Sequence, residues 1–80
     1  MWITFDSEAD ALYVSFRPLG DDEYVAYTDP VDDRRNVDYD ALDAPVGLEF
    51  TQVGLGIDLD GLPQEAELRE VLTRLSTLGG

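Results

Sequence analysis

The sequence predicts one small α+β domain, an antiparallel β-meander of about five strands followed by one C-terminal helix packed on one face. Three observations predict it. Short aromatic and β-branched runs with period-two alternation recur through the first 52 residues, separated by polar or Gly/Pro breaks. The period then changes: Leu68, Val71, Leu72, Leu75 and Leu78 recur at three- and four-residue steps. Finally, 80 residues leave room for a single domain, 1–80, with one core.

The first expected hairpin spans 2–16. Its strands are Trp2 to Phe5 and Ala11 to Phe16, and Asp6 is placed to cap a single turn through Ser7 and Glu8. If Ile3 and Phe5 share the face of Leu12 and Val14, Phe5 opposes Leu12 and Ile3 opposes Val14. Trp2, Tyr13 and Ser15 then lie on the other face, with Thr4 across from Tyr13. After a turn at 17–22, a third strand is expected over 23–28; both its sides carry apolar bulk, so alternation does not select its core face. Pro30 argues against ladder pairing in the connection that follows.

The second expected hairpin spans 37–52, where Val37, Tyr39, Val46, Leu48 and Phe50 alternate with Asp38, Asp40, Gly47 and Glu49. Keeping the apolar set on one face pairs Tyr39 with Leu48, Val37 with Phe50 and Asp38 with Glu49. Gly54 and Gly56 break the pattern, and Ile57 to Leu59 reads as a short extended piece. The helix is expected over 63–78, with Pro63 in its first turn, Glu65 and Glu67 early, Arg69 and Arg74 later, and Gly79 as its stop.

Composition narrows the function. Twelve Asp and six Glu face five Arg, with no Lys, His or Cys, and the net charge is −13. No basic patch is available to release counterions from a nucleic acid or to meet an anionic membrane, so neither is an expected partner. No stretch approaches the ~18 apolar residues of a membrane span, and the start of the chain does not read as a secretory leader, so a cytoplasmic location is expected. A domain of this size buries only about 60–65% of the surface its unfolded chain exposes. Without disulfides or thiolate metal sites, self-association is the remaining common remedy, and a homodimer is expected.

The run Phe5-Asp6-Ser7-Glu8-Ala9-Asp10-Ala11-Leu12-Tyr13-Val14 resembles the opening of a small bacterial family, domain of unknown function 2283. Val37-Asp38-Tyr39-Asp40 and Val46-Gly47-Leu48-Glu49-Phe50 are similar to its second block, and Gly56 to Pro63 to the ending of a longer subset. One departure lies in the second hairpin turn, where members often carry Gly and this chain has Asp43-Ala44-Pro45. The resemblance implies a small β-rich domain with no established activity. Members are often encoded near small toxin-like proteins, which implies an antitoxin-like or partner-binding role.

Chemistry is sparsely supplied. Without His, Cys or Lys, only carboxylates and Tyr remain for proton transfer, and no base stands ready to activate Ser7, Ser15 or Ser76, so no enzyme and no cofactor are expected. In the pairing above, Asp38, Asp40 and Glu49 share one face. That face is either a solvated acidic surface served by Arg17, Arg34 or Arg35, or a site for a hard cation or a basic partner. It is not a calcium loop: with Asp38 first and Glu49 twelfth, Leu42 falls where a ligand belongs and Asp43 where Gly is needed. Asp6, Glu8 and Asp10 read as turn chemistry. Tyr13 is either an ordinary amphipathic surface residue or part of a dimer face. A sheet with aromatics on both sides and one helix leaves one side uncovered, which points to an interaction surface at Trp2, Tyr13 and Ser15. The expected function is therefore a non-catalytic protein-interaction module; the alternatives are a cation-binding acidic module and an acidic mimic of nucleic acid.

Overall fold

The computed structural model describes residues 1–79, with side chains described as far as Arg74. Five strands form one antiparallel sheet: β1 (Trp2–Asp6), β2 (Ala11–Ser15), β3 (Tyr27–Pro30), β4 (Arg35–Tyr39) and β5 (Pro45–Phe50). A 3₁₀ turn at Val53–Leu55 and one helix, α1 (Glu65–Gly79), follow. The α+β class, the antiparallel sheet and the single C-terminal helix are as the sequence predicts. The connectivity is richer than a plain meander. The strand order is β1-β2-β5-β4-β3: β1–β2 and β3–β4–β5 each run up and down, but β3 lies at the far edge and β5 returns to pair with β2. β5 lies beside β2 because these two strands carry the most continuous apolar content, and the centre of the sheet buries them on their shared side.

The first hairpin pairs in the expected register, with Phe5 opposite Leu12, Ile3 opposite Val14 and Thr4 opposite Tyr13. Its turn is held by the Asp6 carboxylate, which accepts hydrogen bonds from the backbone N–H of Glu8 (3.0 Å) and Ala9 (3.2 Å). Asp10 closes the turn in the left-handed region (φ 51°). It also pins the later chain: its carbonyl accepts from Val53 N–H, and its carboxylate from Gly54 N–H at 2.9 Å.

The third strand lies later than the expected 23–28. Glu23 is used in the preceding turn, where its carboxylate accepts from Gly20 N–H (2.8 Å) and holds Arg17. Pairing starts instead where Tyr27 stacks on Tyr39, with ring centroids 5.0 Å apart. Pro30 does sit in the ladder, opposite Asn36. It is tolerated because β3 is an edge strand, where a missing N–H can face solvent.

The second hairpin also departs from expectation. Val37 pairs with Leu48, Asn36 with Glu49 and Asp38 with Gly47, two residues away from the expected alignment. The turn is the cause. Asp40 accepts from Leu42 N–H (2.8 Å) and Ala44 N–H (3.0 Å) through one carboxylate oxygen, and its own N–H reaches Ala44 O. Asp43 takes the left-handed position (φ 63°) of a three-residue loop, a place that usually favours Gly. Tyr27 Oη donates to Asp43 Oδ1 at 2.8 Å and holds it there. The tight loop, with a bulge at Asp38/Tyr39, draws β4 and β5 into the shorter alignment.

The core lies on one side of the sheet: Leu12, Val14, Val37, Leu48 and Phe50 pack against Leu59, Leu62 and Leu68. Leu68 is fully buried; Val71 and Leu72 are half-buried. The expected continuation of the stripe at Leu75 and Leu78 lies outside the described side chains. Ile57 to Leu59 is not a strand; Leu59 drops into the core from an irregular connector. The helix starts at Glu65 rather than Pro63, because Gln64 is left-handed (φ 56°) and interrupts any earlier helical turn. Glu65 reaches back to accept from Gly61 N–H at 2.8 Å, which ties the connector to the helix start.

Arg34 and Arg35 hold this connector down. Arg34 donates to the carbonyls of Gln52 and Gly56, and Arg35 to the carbonyls of Asp58 and Asp60 while paired with Asp32. Among the described residues, no helix is long and apolar enough to cross a membrane.

Candidate functional site: the second face of the sheet

With α1 and the connector on one side, the opposite side presents alternate residues of every strand. β1 contributes Trp2 and Thr4; β2 contributes Tyr13 and Ser15. β5 and β4 add Gly47, Glu49, Asn36 and Asp38, and β3 adds Thr28.

At the centre, the Tyr13 ring leans diagonally across β5 and its hydroxyl donates to Asp38 Oδ2 at 2.8 Å. Gly47 makes the crossing possible. A Cβ there would lie 2.7 Å from Tyr13 Cζ, closer than packed atoms come, and a tight 3.0 Å from Val14 O. Thr28 Oγ1 donates to the other oxygen of Asp38 at 2.5 Å, so one carboxylate ties β2, β4 and β3 together. Burial, the hydrogen bond to Asp38 and the charges of Asp38 and Glu49 push the Tyr13 phenol up to about 12. At neutral pH it is a fixed donor, and the trio is a strut across the sheet rather than a base and its acid.

The acidic residues do not converge. Asp38 is engaged by Tyr13 and Thr28, Glu49 by Asn36 Nδ2 (3.3 Å), and Asp40 lies in the turn with Arg17 at 2.8 Å. The Asp40 carboxyl is held below the usual carboxylate range, first by the Ala44 and Leu42 N–H groups against its burial, then by Arg17. The expected opposition of Asp38 and Glu49 is replaced by Asn36 facing Glu49, a consequence of the shorter loop. Among the described residues, no group of three carboxylates could hold a metal ion. Arg17 does serve an acidic partner, but Arg34 and Arg35 hold the connector instead of this face.

Trp2 and Ser15 are cross-strand partners, as expected, with Tyr13 two pairs further along on the same face. Trp2 is 57% exposed. Between these strands and β5 lies a shallow depression of about 250 Å³ lined by Thr4, Asp6, Ala11, Tyr13 and Glu49. Sequence reasoning missed the part Gly47 plays. A Gly inside an otherwise alternating strand marks a close approach, and that was the available signal.

The fold and this face define a small α+β domain whose five-stranded sheet is covered on one side. The chain belongs to the family described as "Protein of unknown function (DUF2283)", whose model matches residues 2–53. The match takes in all five strands and ends at the 3₁₀ turn, ahead of α1. No curated protein and no solved structure matches the chain.

Proposed function

We propose that this protein is a non-catalytic interaction module that docks a partner protein on the second face of its sheet, around Trp2, Tyr13 and Ser15. The observation that carries the reading is Trp2: a large amphipathic ring, more than half exposed, beside the Tyr13–Asp38 strut and opposite the side that holds the core. Exposed aromatics on a rigid support are what interaction surfaces use, because a ring buries much area at little entropic cost. A regulatory or antitoxin-like use of that face accords with the family resemblance. Homodimerisation through the same residues is the competing occupant.

Native mass spectrometry of the untagged protein, recovered gently from its own cells, tests the reading. The expected result is a species carrying an added protein, lost in Trp2→Ala while the circular dichroism spectrum is unchanged. A homodimer without a companion, or a complex indifferent to Trp2→Ala, would overturn it.

A further inference from the structure

The two edges of the sheet are unlike. β3 is four residues long, carries Asp29 and ends in Pro30; shortness, charge and proline are the devices that keep an edge from pairing with another chain. β1 is scarcely longer, at five residues, but before Asp6 it carries neither charge nor proline: Trp2, Ile3, Thr4 and Phe5 are uncharged, and the strand runs in regular register with β2 throughout. Among the described residues, its outer side has no neighbour in the sheet. Trp2 and Phe5 flank this edge from opposite faces and are 57% and 54% exposed, although Phe5 lies opposite the buried Leu12. A strand laid along β1 would cover both rings.

Charge selects the occupant. Residues 1–16 contain Asp6, Glu8 and Asp10 and no Arg, and Glu49 lies just beyond Tyr13. All five arginines already have acceptors within the chain: Arg17 has Glu23 and Asp40, Arg34 the Gln52 and Gly56 carbonyls, and Arg35 has Asp32. Arg69 has Asp60 and Glu65, and Arg74 has Glu70. A second copy would bring a net charge of −13 to the edge with each arginine engaged by acceptors of its own chain; Arg34 Nε lacks an acceptor but is buried. We infer that β1 takes up an extended, Arg- or Lys-rich segment of a partner protein as a sixth strand. Its backbone closes the free ladder, its apolar side chains cover Trp2 and Phe5, and its cations face the acidic first hairpin. This rests on the interaction reading above and supplies the chemistry of the partner.

Amide exchange followed by NMR on the full chain tests it, with two synthetic peptides of about eight residues, one alternating Arg with Val and the other Glu with Val. The Arg peptide should slow exchange at alternate β1 amides by about tenfold or more, because only outward-facing N–H groups gain a partner. The protection should fade as salt rises, be absent with the Glu peptide, and weaken several-fold in the double variant Asp6→Asn, Glu8→Gln. Equal protection by both peptides would overturn the charge argument. Shifts confined to Trp2, Tyr13 and Ser15, with β1 amides unprotected, would overturn strand addition and leave face docking standing. Protection that grows with protein concentration alone would give the edge to a second copy, and an unchanged β1 at millimolar peptide would overturn the inference outright.

Discussion

Gly47→Ala places a single methyl group where the Tyr13 ring crosses the sheet. The new Cβ would meet Tyr13 Cζ at 2.7 Å, so the ring must swing off β5 and release its 2.8 Å bond to Asp38. A hydrogen bond to a charged acceptor contributes about 1.5–3 kcal/mol, whereas replacing Gly by Ala inside a strand returns about 0.5–1 kcal/mol. The net expectation is destabilisation of about 1–2 kcal/mol, or a fall in Tm of about 4–16 °C for a domain of this size. Urea unfolding followed by circular dichroism measures it, in the wild-type background and again in Tyr13→Ala. With the ring gone only the 3.0 Å approach to Val14 O remains, so the cost of Gly47→Ala should fall, giving a coupling of about 1 kcal/mol or more between the two sites. A Gly47→Ala protein as stable as wild type, or a cost identical in both backgrounds, would refute the crossing.

Two further outcomes follow from the fold. Leu68 is fully buried where α1 meets the sheet, so Leu68→Ala should cost about 2–5 kcal/mol in the same unfolding assay; a loss below 1 kcal/mol would mean that the helix is not anchored there. Asp40 should contribute to acid sensitivity. Its carboxyl is held below the ordinary value by Ala44 and Leu42 N–H and by Arg17, so the unfolded chain takes up that proton first as pH falls. The stability it contributes is therefore present above the ordinary carboxylate pKa of about 4 and is lost as pH drops through the lower folded value. Thermal melts from pH 7 to pH 2.5 should show a shallower acid limb in Asp40→Asn than in wild type. Parallel limbs would show that Asp40 is not a source of the acid response.

Much of the candidate face is legible in the sequence. Strict alternation and a turn capped by Asp6 place Trp2, Tyr13 and Ser15 together, because each contact lies within a hairpin of 15 residues. Asp38 and Glu49 do share that face, but they are not opposite one another and Asp40 lies in the turn, for an equally physical reason. Whether Asp38 faces Glu49 or Gly47 depends on a loop set by Asp40 and by a left-handed Asp43, and alternation is the same in either alignment.

The α+β class, the register of the first hairpin, the inward set Leu12, Val14, Val37, Leu48 and Phe50, and one amphipathic helix are all legible in the amino-acid sequence. These follow from side-chain period and from hydrogen bonds between near neighbours in the chain. Long-range packing sets the rest: β2 lies beside β5, Tyr13 reaches Asp38 over Gly47, Leu59 and Leu62 complete the core, and Arg34 and Arg35 hold the connector. The strand pairing and hydrogen bonds among these join residues 18 to 38 positions apart. Their partners are chosen by which strands become neighbours when the core closes, and local propensity carries no record of that choice.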